Sequence, residues 1–153
     1  MYTSEEQTKK LIDAGIKPDS ADMMVVAGRG KNPFKDWNPI PRTPENCKKY
    51  EGKDMMPVWS DECLINMLPT CIVDRDTPSY DALTGSVVDT RYELRIQFKI
   101  IPGRGRMHAI GYLDPSGNPP KSCYLSSSLT TALVDIVIKL LCTDESNIIN
   151  YEW

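Results

Sequence analysis

Histidine is nearly absent from this chain: His108 is the only one in 153 residues. A histidine general base or histidine metal ligand would have to be that residue, and no nucleophile or ligand stands at motif spacing from it. The five cysteines, Cys47, Cys63, Cys71, Cys123 and Cys142, contain no CxxC pair, so the tight local spacing of a zinc site is missing. Their odd number argues against a secreted disulfide framework, and reduced thiols in a cytoplasmic protein are expected. No apolar run reaches membrane-spanning length. The richest, 129–141, is broken by Thr130, Thr131, Asp135 and Lys139, so no membrane association is expected. The N-terminus carries Glu5 and Glu6 where a secretion signal has bases and then an apolar run. A basic surplus is missing too. Eighteen Lys and Arg against 21 Asp and Glu leave a net charge of -3, which disfavours a general polyanion binder and still allows a local basic patch.

What is present suits an ordinary globular fold. Hydrophobic residues at 41% and charged residues at 25% are sufficient for a core and too apolar for a disordered chain. The length fits a single domain over 1–153, large enough to fold without a disulfide or metal staple.

Local signals place the elements. Thr3 or Ser4, followed by Glu6 or Gln7, has the form of a capping box opening a helix that Gly15 ends. Met23 to Val26 is a short apolar strand. From 28 to 56, Pro33, Pro39, Pro41 and Pro44 predict a long irregular loop, rich in bases and carrying Phe34 and Trp37. Ser60 caps a second helix, with Trp59 and Leu64 at the spacing of a hydrophobic staple. Residues 69–86 read as loop. Tyr92, Leu94, Ile96, Phe98 and Ile100 then alternate with polar residues, predicting a strand with one dry face over 90–101. A Gly-rich turn joins it to a second strand at 107–114, and 122–125 is a third. Ser127 or Ser128 caps a final helix over 129–141, apolar around most of its circumference. The tail from 147 to 153 is too short to assign by pattern. The expected architecture is α+β: a small antiparallel sheet packed against a buried C-terminal helix, with two N-terminal helices and a long loop.

Candidate chemistry is thin. The clusters Gly28-Arg29-Gly30-Lys31 and Gly103-Arg104-Gly105-Arg106 lack the strand-to-helix setting and spacing of a phosphate loop. Ser126, Ser127 and Ser128 lack a nucleophile-elbow motif. The carboxylates form no acid/base pair, and no cofactor is expected. Methionines 23, 24, 55 and 56 read as core filling. The best binding candidate is basic: Arg104, Arg106 and His108 at the turn, Arg95 and Lys99 on the preceding strand, and Trp37 in the long loop. Arginines beside an aromatic ring can hold phosphates and stack bases.

The segments Leu11 to Met23 (LIDAGIKPDSADM) and Pro57 to Pro69 (PVWSDECLINMLP), followed by an alternating strand, Ile110-Gly111-Tyr112 and an apolar C-terminal helix, resemble a group of small uncharacterised proteins of gut Bacteroidetes, their mobile elements and their phages. The resemblance implies a bacterial or phage context and no activity or catalytic residue. Three readings follow. The first is a non-catalytic accessory protein with an unknown protein partner. The second is a nucleic-acid-binding protein using the basic turn and loop. The third is an enzyme with an unrecognised site around His108.

Overall fold

The computed structural model describes residues 1–80, 83–117, 119–142 and 149–152, of which 75–79, 142 and 149–152 as backbone only. The described chain gathers into two compact units, Met1–Ile65 and Asn66–Trp153.

The first unit opens with α1 (Glu5–Asp13). Ser4 Oγ accepts from the Gln7 amide while the Gln7 side chain accepts from the Ser4 amide, closing the expected capping box. Gly15, with φ +95°, turns the chain after the helix. A 3-10 turn at Pro18–Ser20 leads into β1 (Met23–Val26), the centre of a three-stranded antiparallel sheet. Its edges are β2 (Ile40–Pro41) and β3 (Met55–Val58). Between them in sequence lies α2 (Pro44–Lys49), and α3 (Asp61–Asn66) follows β3, its last residue opening the second unit.

The 28–56 segment is therefore less irregular than expected. Pro44 opens α2 instead of breaking it, because the first helical residue needs no donor N–H, and Thr43 Oγ1 caps the helix by accepting from the Asn46 amide at 3.2 Å. Pro41 and Pro57 lie on the two edge strands, where a missing N–H costs no ladder bond. Ser60 Oγ caps α3 by accepting from the Cys63 amide. Trp59 and Leu64, the staple pair, are both fully buried with Leu11, Met24, Val25 and Val58.

The second unit is a five-stranded antiparallel sheet with α4 (Leu129–Cys142) packed on it. The strands are β4 (Cys71–Tyr80), β5 (Val87–Ile101), β6 (Gly105–Leu113), β7 (Lys121–Ser126) and β8 (Ile149–Glu152), in the order β7-β6-β5-β4-β8. The α+β architecture with the C-terminal helix on the sheet is as expected. Ser128 Oγ caps α4, and Ala132, Leu133, Ile136 and Val137 are completely buried.

Two expectations fail here. Much of the 69–86 loop is strand β4. The ladder between β4 and β5 shifts register between Asp74 and Ser79, a stretch that holds Pro78 and hides the strand from a pattern search. The tail also pairs: β8 lies against β4, with Cys71 opposite Glu152. The other failure concerns the dry face of β5. Tyr92 is buried and Leu94 half-buried, but Ile96, Phe98 and Ile100 are 39%, 58% and 85% exposed. The 14 residues of α4 cover about 21 Å, whereas the 15 residues of β5 run to about 50 Å. A helix that rests on β6 and β7 leaves the far end of β5 uncovered.

Candidate interaction site

The uncovered end is a β-hairpin. Ile101 stands opposite Gly105, Ile100 opposite Arg106, Phe98 opposite His108 and Ile96 opposite Ile110. The turn is closed by the Arg104 amide donating to the Ile101 carbonyl at 3.0 Å, with Gly103 and Gly105 at φ +76° and +74°. Those two angles explain the Gly-Arg-Gly-Arg cluster: glycine adopts them without strain, and the motif shapes a turn.

Cross-strand register decides which side chains meet. Residues directly opposite share a face, so Ile96, Phe98, Ile100, Arg106 and His108 lie on one side of the hairpin. The Arg106 guanidinium sits 4.1 Å from the centre of the Phe98 ring, and His108 meets the same ring edge-on at 4.7 Å. Phe98 is thus held between two nitrogen-rich side chains on an otherwise aliphatic stripe. From 94 to 113 the chain holds Arg95, Lys99, Arg104, Arg106 and His108 and no acidic residue, although the whole protein is acidic.

Of the six sequence-predicted residues, five lie on the hairpin, divided between its turn and its two faces. Arg106 and His108 are together, with Arg104 exposed at the turn beside them. Arg95 and Lys99 belong to the opposite face, with Gly111 and Met107 as cross-strand partners, and Arg95 is ion-paired with Glu93 at 2.6 Å. Trp37 belongs to the first unit, where its Nε1 donates to the Thr3 carbonyl at 2.9 Å. Of the loop bases, Lys48 and Lys49 occupy the last turn of α2, where the helix dipole favours them.

His108 is half-buried, and its Nδ1 is buried with no hydrogen-bond partner among the described residues. Cys63 donates to the Ser20 carbonyl at 3.3 Å, and burial, together with the Asp22 carboxylate, pushes its thiol up to about 11. A thiol so held is protonated at neutral pH and is a poor nucleophile. Among the described residues, no group of three or more His, Cys, Asp and Glu is placed to hold a metal ion, and no helix is long and apolar enough to cross a membrane.

Sequence reasoning missed the exposure of Phe98, Ile100 and Ile96, which it assigned to the dry face of the sheet. The signal was the mismatch between a long alternating strand and one short covering helix. No protein-family model, no curated protein and no solved structure matches the chain.

Proposed function

We propose that this is a non-catalytic accessory protein of a bacterium or its phages, which docks the β5–β6 hairpin into an apolar, acid-rimmed groove of a protein partner in the cytoplasm. The observation that carries the reading is the rise in exposure from Leu94 through Ile96 and Phe98 to Ile100, within the stretch 94–113, which has bases and no acids. Large apolar side chains left in water cost roughly 1.5–3 kcal/mol each relative to burial, so a stripe of three favours an occupant. The basic flank selects an acidic rim and speeds encounter with it. The free thiols of Cys47, Cys63, Cys71 and Cys123 fit a reducing compartment. The bacterial or phage origin rests on the resemblance of 11–23 and 57–69. The non-catalytic part is supported by His108, whose buried Nδ1 has no hydrogen-bond partner among the described residues to orient it.

The test is photo-crosslinking in a bacterial lysate, with a benzophenone amino acid at position 98 or 100 and a control at the exposed Lys9. The expected result is one discrete protein adduct from positions 98 and 100 only. Excess wild-type protein should suppress it, and the Phe98→Glu/Ile100→Glu double variant should not. Adducts that the double variant competes equally well, or none at all, would end the proposal.

A nucleic-acid reading has one specific support, the stacking of Arg106 on Phe98 near a turn that also exposes Arg104. It is second because Arg95 and Lys99 face the other way. Filter binding at low salt separates the two. Nucleic-acid affinity that falls in Arg104→Ala/Arg106→Ala supports the second reading, and equal or absent binding removes it.

A further inference from the structure

The first unit contains a cavity of about 330 Å³, lined by Pro18, Met24, Arg42, Cys47, Met55 and Pro57. Its construction follows from the small sheet. Met24 pairs with Pro57 and Val26 with Met55, so Met24, Pro57 and Met55 project from one side. Pro18 comes from the 3-10 turn and Cys47 from α2. The walls are therefore thioether, proline and thiol, all apolar and polarisable, and the volume lies at the lower end of the range for small-molecule sites.

Arg42 is the one charged member. Its Nη1 donates to the Pro18 carbonyl at 2.7 Å and its Nη2 to Asp19 Oδ1 at 2.9 Å. These bonds fix the guanidinium in the cavity wall while using two of its five N–H donors. The Asp19 side chain is 94% exposed, so its pairing with Arg42 is screened by water and weak. A fixed cation beside an apolar chamber, with donors to spare and a weakly held counter-ion, is complementary to one carboxylate on an apolar body. The same Asp19 disfavours a second negative charge on the ligand.

We propose that this cavity binds a small aromatic monocarboxylate, with its ring among Met24, Met55, Pro18 and Pro57 and its carboxylate on Arg42. An aromatic ring is favoured over an aliphatic one because thioether sulfur gains from contact with a ring edge. The cavity is lined by residues of the first unit alone, and this proposal does not rest on the docking proposal.

The probe is benzoate, titrated into the full chain carrying ¹³C-methyl methionine, with benzamide as the neutral analogue and cyclohexanecarboxylate as the non-aromatic one. Benzoate is expected to shift the Met24 and Met55 methyl signals and to protect Cys47 from iodoacetamide. Benzamide should bind about tenfold more weakly, the value of one hydrogen bond to a charged group. Cyclohexanecarboxylate should bind more weakly than benzoate. Arg42→Gln should reduce benzoate to the benzamide level and leave benzamide unchanged. Since Arg42→Gln also removes the bond to Pro18, Cys47→Phe provides a second variant, which fills the chamber and should abolish binding of both with the other methionine signals in place. Unmoved Met24 and Met55 signals at millimolar benzoate would overturn the proposal. So would equal affinity for benzoate and benzamide, or binding retained in Cys47→Phe. Equal binding of cyclohexanecarboxylate would overturn the aromatic preference.

Discussion

Lys121, at the start of β7, forms an ion pair with Asp74 on β4, and its ammonium lies 5.3 Å from the centre of the Tyr92 ring on the way. The pair spans the sheet across β6 and β5, because the strand order puts β7 and β4 three places apart. Asp74 is 1% exposed in its side chain and Lys121 31%. Removing Lys121 therefore strips a charge partner from a carboxylate that water does not reach. Lys121→Met is expected to destabilise the fold by about 1–3 kcal/mol, read as a lowered urea midpoint. The Lys121→Met/Asp74→Leu double variant should lose less than the sum of the two single losses, and additive losses would mean that the two groups are not coupled.

A second expected outcome concerns Cys63. Asp22 accepts from the Ser60 amide at 2.9 Å and from its hydroxyl at 2.5 Å, which holds a carboxylate near the thiol. Burial first, then that carboxylate, raises the thiol from its ordinary 9.0 to about 11. A raised acid favours the fold below pH 9, and this contribution is lost as pH rises through about 11. Site-resolved iodoacetamide labelling should show Cys63 reacting with a midpoint near 11. In Asp22→Asn the midpoint should move down. An unchanged midpoint would assign the shift to burial alone.

Two isoleucines on the same hairpin face offer a comparison of equal chemistry. Ile110 is fully buried and Ile100 is 85% exposed. Ile110→Ala should cost about 2–5 kcal/mol, whereas Ile100→Ala should stay within about 0.5 kcal/mol. Chemical denaturation of both variants checks this. A large loss at Ile100 would mean that the hairpin end is covered in the folded chain, and the docking proposal would go with it.

The orphaned Nδ1 of His108 implies that the histidine is not there for stability. His108→Phe keeps a ring against Phe98 and removes a buried ring nitrogen that has no partner among the described residues, a cost of about 1–3 kcal/mol. The variant is expected to be as stable as the wild type or more so by thermal melting. A clear loss would point to a bridging water on Nδ1 that the ring requires.

Much of the chain can be read locally. Ser4 with Gln7, Ser60 with Trp59 and Leu64, and Ser128 before an apolar helix are signals contained within one or two turns, and each element appears where its cap predicts. Proline was the less reliable marker. Pro44 starts a helix, Pro41 and Pro57 sit on strand edges, and Pro78 lies in a register shift, because what proline forbids depends on whether its missing N–H had a partner to serve.

The sequence by itself determined the capped helices, the alternating strand, the Gly-Arg-Gly-Arg turn and the α+β class, since caps, periodicity and positive φ act over a few residues. Only the tertiary structure decided that β4 and β8 join the sheet, that Arg95 and Lys99 turn away from Arg106, and that Ile96, Phe98 and Ile100 meet solvent. Alternation states that a strand has two unlike faces. Whether the apolar one is dry depends on how far another element extends over it, and here a helix of about 21 Å lies on a sheet whose longest strand is about 50 Å.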